Sequence, residues 1–262
     1  MDTIRLPSIS TRFVGEVKYS DIRSAWASAG RCVALLLALV VTADCLAEPV
    51  PLFSATYKVS YGILRGEMTL ELRRNDESGY VYATSLRTRG LVSMFRRGAI
   101  VETTSLELVG GALRPLDYES IDTIARPHRE TQYVFDQPAG RVTGTYKTRA
   151  IDEPMRPGGH NRISAHVAVM LALNADLDLP GFAVFDRARW RDYEFEVFPE
   201  QSVSTPLGNF DAVEIRYTST KKNKSSSLYC AAVLDYVPVM IVYREDGKIK
   251  SRAQLVEHRP LD

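Results

Sequence analysis

From Phe53 the chain alternates. Phe53, Ala55, Tyr57, Val59 and Tyr61 are apolar or aromatic, and Ser54, Thr56, Lys58 and Ser60 between them are polar. Successive side chains of a β-strand point to opposite faces, so this pattern buries one face and wets the other. Gly62 and Gly66 bracket a turn. Met68, Leu70 and Leu72 then alternate with Thr69, Glu71 and Arg73 until Asn75-Asp76-Glu77-Ser78-Gly79 breaks the run. The pair reads as a β-hairpin. The same period predicts strands over 80–88, 100–108, 113–118, 131–135 and 142–147, separated by turn chemistry such as Gly110-Gly111 and Asp136-Gln137-Pro138-Ala139-Gly140.

One segment changes period. Ile163, Val167, Met170, Leu171 and Asn174 recur at helical spacing, which predicts a helix over about 163–175 with one buried face. Asn161 or Ser164 supplies a side-chain oxygen to cap its first amides, and Pro180-Gly181 lies beyond its end. Alternation then returns in Tyr193-Phe195-Val197, Val213-Ile215-Tyr217, Val239-Ile241-Tyr243 and Ile249-Ser251-Ala253-Leu255, with Asp246-Gly247 as a tight turn. Lys221-Lys222-Asn223-Lys224-Ser225-Ser226-Ser227 reads as an exposed hairpin loop. The expected fold is mainly β: six or seven strands, one central helix and about five more strands. They would form a single antiparallel curved sheet or an open or closed β-barrel. Most strands keep a polar outer face, which argues against a barrel facing lipid.

Arg31 precedes the apolar run 32–41, and small residues follow up to Ala47, the pattern of an export signal. The run is about half the ~20 residues a membrane-spanning helix needs. The expected organisation is a signal peptide with a long N-terminal region over 1–47, cleaved after Ala47, and one β-rich domain over 48–262 in the periplasm. Lipid anchoring at Cys45 is disfavoured, because Asp44 stands where a small residue is required. The segment before Glu48 holds five basic and four acidic residues, leaving 28 of each. This balance lacks the basic excess that nucleic-acid binding exploits. Cys230 would be the remaining cysteine, so no internal disulfide is expected.

Four stretches together carry a resemblance: 57–66 (YKVSYGILRG), 111–118 (GALRPLDY), 205–210 (TPLGNF) and 236–239 (YVPV). In order and spacing they resemble the exported bacterial proteins of the DUF3108 family, over about 53–258. Such proteins usually show Asp-x-x-Ser entering the central helix, where this chain has Asn161-Arg162-Ile163-Ser164. The resemblance implies an envelope-located, β-rich fold and brings no catalytic residues with it.

No metal or cofactor is expected, since His128, His160, His166 and His258 fall in no chelating spacing. Ser164 and His166 lie two apart on a helix and point in different directions. Cys230 sits in an apolar context that blunts a thiol's reactivity. Asp192, Glu194 and Glu196 read as a solvated strand face. The candidate binding residues are Arg96, Arg97, Arg114, Tyr118, Arg129 and Tyr133, a cationic port with amphipathic walls for an anionic head group. The leading expectation is a non-enzymatic binding or carrier protein for a lipid, glycolipid or other amphipathic or apolar envelope molecule. An envelope hydrolase of polysaccharide or ester bonds using paired carboxylates, and an assembly scaffold, are the alternatives. Export predicts that Edman sequencing of the protein recovered from periplasmic extract starts at Glu48; an intact N-terminus would refute the cleavage.

Overall fold

The computed structural model describes residues 50–75, 79–90, 98–179, 181–218 and 223–261. The expected signal segment, Arg96, Arg97, Lys221 and Lys222 lie outside them. Among the described residues the strands join one sheet, with a single α-helix inside its curve. The first ten are β1 (Phe53–Tyr61), β2 (Leu64–Arg74), β3 (Tyr80–Arg89), β4 (Ala99–Val109), β5 (Ala112–Pro115), β6 (Asp117–Asp122), β7 (Arg129–Asp136), β8 (Arg141–Tyr146), β9 (Arg149–Pro154) and β10 (His160–Asn161). Helix α1 (Ser164–Asn174) follows. Then come β11 (Phe182–Phe185), β12 (Trp190–Thr205), β13 (Gly208–Thr218), β14 (Lys224–Cys230), β15 (Pro238–Glu245) and β16 (Lys248–Pro260).

The ladder runs from β10 through β11 to β16, crosses to β1 and continues to β9. All pairs are antiparallel except β10 with β11. The first and last described strands are neighbours, with Phe53 opposite Pro260 and Tyr61 opposite Ser251, and they sit in the middle of the sheet.

Two strand and loop expectations need correction. The strand expected over 113–118 is two pieces on the same partner, because the register against β4 shifts by one residue between Pro115 and Asp117. Pro115 has no amide to give the ladder, and the Asp117 carboxylate instead accepts the Ser105 amide at 2.8 Å. The Ser-rich stretch 224–227 is not a loop but the start of β14, with Ser227 fully buried. Its polar side chains concealed a strand, as those of β9 did.

Helix α1 is also buried differently from expectation. Ser164, Ala165, Val167, Val169 and Met170 are buried, together with Ile163, whereas Leu171 and Asn174 are only half-buried. Ile163, Val167 and Met170 join the main core with Tyr57, Leu72 and Phe185, while Val169 meets Ile215, Leu228 and Cys230 on the other side. A helix enclosed by a curved sheet has buried positions on more than one face, so its burial does not follow a single amphipathic stripe. Its start is capped reciprocally. Asn161 Oδ1 accepts from the amides of Ile163 (3.1 Å) and Ser164 (2.9 Å), and Ser164 Oγ accepts from the Asn161 amide (2.9 Å).

The ladder does not close between β9 and β10; side chains close it instead. The Trp190 indole N–H donates to the Pro154 carbonyl at 2.8 Å, and Arg156 pairs with Asp192 at 2.6 Å. Behind them the Phe185 ring meets Tyr133 edge-on at 4.9 Å, and Tyr133 Oη accepts from the Ala188 amide at 3.1 Å. Gly159 leaves room for the indole, since a Cβ there would lie 2.4 Å from the Trp190 ring. Gly159→Ala should therefore destabilise the fold by about 1–3 kcal/mol through overpacking. Urea unfolding of the variant checks this; an unchanged midpoint would show that the seam yields freely.

Candidate functional site

The curved sheet leaves a cleft of about 490 Å³ at one end, in the size range of small-molecule sites. Its apolar wall comes from alternate positions of β2, β3 and β4, namely Met68, Leu70, Leu86 and Ile100, with Ile241 of β15 opposite. These share the inward face of their strands with Leu72, Tyr82 and Leu106, which are core. Tyr193, Tyr217 and Tyr243 add aromatic surface, and Tyr193 stacks on Tyr217 at 5.2 Å.

The polar side of the cleft is cationic. Arg162, Arg187, Arg189, Arg191 and Lys224 face Glu102 and Asp186, five positive groups against two negative. Three of the arginines come from the β11–β12 hairpin, which the seam contacts hold over the opening. The Arg191 side chain is only 9% exposed, and its Nε has no hydrogen-bond partner, although Asp186 Oδ2 is 3.4 Å away. A buried guanidinium N–H without an acceptor is costly, and an incoming anion would satisfy it.

Glu102 and Arg162 form the floor. Glu102 is buried; it receives Arg162 as ion-pair partner and hydrogen bonds from Tyr118 Oη and, at 3.5 Å, Thr84 Oγ1. Burial alone would raise its pKa, but the Arg162 charge and the hydrogen bonds from Arg162 and Tyr118 outweigh it and hold the carboxyl below the usual range. Arg162 lies inside the sheet yet keeps 46% of its side-chain surface open to the cleft. A carboxylate held ionised is no proton donor, so Glu102 lacks the raised pKa that a glycosidic general acid needs. Asp186 pairs with Arg191 at 3.4 Å and Arg187 at 3.9 Å.

A smaller lobe of about 200 Å³ adjoins the cleft and shares Ile100, Arg162, Asp186 and Arg187 with it. It contains Tyr118, Arg129 and Tyr133, three of the six residues singled out in the sequence, together with Lys147. Arg114 does not join them. It is paired in register with Glu107 near the Gly110-Gly111 turn, at the opposite end of β4 from Ile100, because antiparallel strands send successive turns to opposite ends. Arg96 and Arg97 lie outside the described residues. Tyr57 and Tyr82 are fully buried in the core. Sequence reasoning missed Arg162 and the arginines at 187, 189 and 191. The density of arginine in 187–191 (RARWR) was the available signal.

Among the described residues no group of three or more His, Cys, Asp or Glu is placed to hold a metal ion. Cys230 is buried, and burial raises its thiol pKa. Asp192, Glu194 and Glu196 are exposed on one strand face, as expected.

A sequence profile of the family described as "Protein of unknown function (DUF3108)" matches residues 53–253. A search of curated proteins found no match. Among solved structures, the chain is similar to a beta-barrel-like protein of the DUF1849 family from Brucella abortus, at 11% identity and a TM-score of 0.55, over 81% of this chain and 99% of that one. It also aligns with the MucA/MucB complex of Pseudomonas aeruginosa (13% identity, TM-score 0.38, 82% of this chain) and with MucB (13%, 0.33, 89%). The chain spans little more than half of those two partners, 54% and 58%. The first likeness shows the fold alone, and the other two fall below what a shared fold requires.

Burial holds two histidines neutral. It pushes the pKa of His160 down to about 4, and burial with the nearby Arg162 does the same to His166. Protons are then taken up more readily by the unfolded chain, whose histidines titrate near ~6.5. This stabilisation is complete above that value and is lost as pH falls towards about 4. Glu102, with a lowered pKa, adds a further loss below the ordinary carboxylate range of ~4.3. Urea midpoints should drop between pH 6.5 and 4.5, and His166→Gln should remove about 1–3 kcal/mol of that drop. An unchanged slope in the variant would mean that His166 takes up its proton as readily in the fold as in the unfolded chain.

Proposed function

The chain belongs to the DUF3108 family, and we propose that it is a non-enzymatic binding or carrier protein of the bacterial periplasm whose ligand is an anionic amphiphile. The observation that carries this reading is the division of the cleft into an apolar wall (Met68, Leu70, Leu86, Ile100, Ile241) and a cationic wall (Arg187, Arg189, Arg191), with an unsatisfied buried guanidinium N–H on the cationic side. Chains of an acyl or isoprenoid type fit the first, and a phosphate or carboxylate fits the second. Its apolar portion gains about 25 cal/mol per Å² removed from water, and its head group gains charge-assisted hydrogen bonds. The export signal read at 31–47 supplies the compartment. Among the described residues no helix is long and apolar enough to cross a membrane.

Fluorescence titration with NBD-labelled lysophosphatidylglycerol below its micelle concentration tests the reading. Saturable binding is expected, with the lysophosphatidylcholine analogue weaker. Arg191→Gln should weaken the anionic probe about tenfold or more, the value of a hydrogen bond to a charged group. Absence of saturable binding, or equal affinity for both probes and in the variant, would overturn it.

A further inference from the structure

One register row crosses the sheet at the level of the cleft. Phe195 faces Tyr217, then Ser226, Tyr243, Ser251, Tyr61 and Leu64 follow in turn. Tyr217, Ser226 and Tyr243 line the cleft. The strands run a few residues past this row and turn back, so the β1–β2 turn and the β15–β16 turn stand at the cleft's open end.

Apolar side chains stand exposed at or beside these tips. Ile63 is 90% exposed, Tyr61 52%, Ile249 47% and Leu64 40%. Alternation puts Leu64 on the face of β2 that carries Met68 and Leu70, and Tyr61 on the face of β1 that carries Val59; Ile249 stands past a bulge in β16, paired with Arg244 beside the β15–β16 turn. The apolar wall of the cleft therefore continues outward as an exposed lip. Cations stand beside them: Arg65, Arg87 and Arg89 on the alternate positions of β2 and β3, and Lys248 and Lys250 flanking Ile249 in β16. Of the acids in these segments, Glu67 is paired with Arg89 and Glu245 with Lys224, and the Asp246 carboxylate accepts from Asn223 Nδ2 at 3.1 Å. Arg65 Nη1 donates to the carbonyls of Gly62 (2.8 Å) and Leu64 (2.9 Å), which fixes the shape of the tip under Ile63.

Apolar side chains on the rim with cations beside them match an anionic bilayer surface, where aliphatic groups enter the interface and Lys or Arg meet the lipid phosphates. Leu177 and Val233, which are also strongly exposed, stand beside Asp176, Asp178 and Asp235, a setting that such a surface repels. We propose that the protein docks on anionic phospholipid membranes through the rim of Tyr61, Ile63, Leu64 and Ile249, with Arg65, Lys248 and Lys250 contacting head groups, so that the cleft opens towards the bilayer. The docking stands on the rim alone; its use in loading an amphiphile rests on the function proposed above.

The test is flotation of the purified protein with vesicles of phosphatidylethanolamine and phosphatidylglycerol (7:3), against pure phosphatidylcholine vesicles. Binding is expected for the anionic vesicles and weakened by salt. The double variant Ile63→Asp/Ile249→Asp should lose it at least about tenfold, and Lys248→Glu/Lys250→Glu about as much. Both variants change exposed side chains, so circular dichroism and the unfolding midpoint should match the parent. Titration with the soluble lysophosphatidylglycerol probe separates the two readings: loss of vesicle binding with intact probe binding is the pattern expected of the rim variants. Vesicle binding that survives the Asp substitutions, or a parent protein that ignores anionic vesicles, would overturn the docking. A parent that floats yet takes up no probe would leave docking standing and overturn the cleft's ligand.

Discussion

The constraint on which the rest of this molecule depends is a long antiparallel sheet that curls without sealing its last pair of edges. A sheet of this many strands is wider than its own inward side chains can fill, and an open edge leaves backbone donors and acceptors unpaired. The chain answers both with the segment that follows β9. It turns at Gly159, contributes two residues of ladder as β10, enters the interior as α1 and returns as the β11–β12 hairpin. Trp190 and Arg156 then fasten the seam through single contacts, to the Pro154 carbonyl and the Asp192 carboxylate. The filling is incomplete at one end, and the unfilled volume is the cleft.

The start of the helix links packing to charge. Asn161 uses its amide oxygen as the cap and its amide nitrogen as a donor to Thr104 Oγ1 at 2.8 Å, anchoring the helix to β4. An aspartate could accept in the first role but not donate in the second, which gives the asparagine here a physical sense. The next residue, Arg162, is thereby aimed at Glu102, two positions from Thr104 on the same strand face. An ion pair with one partner buried and the other half open adds little net stability, because desolvating the Glu102 carboxylate offsets the attraction. Its consequence is electrostatic: the acid is matched, and the remaining arginines of the cleft are left in excess.

The described geometry gathers what the sequence separates. Met68 and Tyr243 bound the cleft from opposite ends of the described chain, and Arg187, Arg189 and Arg191 reach it from one hairpin. Tyr118, Arg129 and Tyr133 were legible as a port because β6 and β7 are neighbours in sequence and in space. Arg114 was misplaced for the converse reason: it is close in sequence but sits beyond a bulge at the other end of β4. The polar run at the start of β14 misled in the same way, because Lys224, Ser225 and Ser226 face the cleft and not open solvent.

The sequence by itself determined the class of fold, since period-two alternation, one helical interval and glycine-marked turns are local properties that each segment carries alone. It also determined the burial of Cys230, whose neighbours are apolar along the chain. Which strand edges stay open, which face of the helix is enclosed and which cations converge were decided only by the tertiary structure. Those outcomes depend on register between strands far apart in sequence, and a one-residue shift such as that after Pro115 redirects every side chain beyond it.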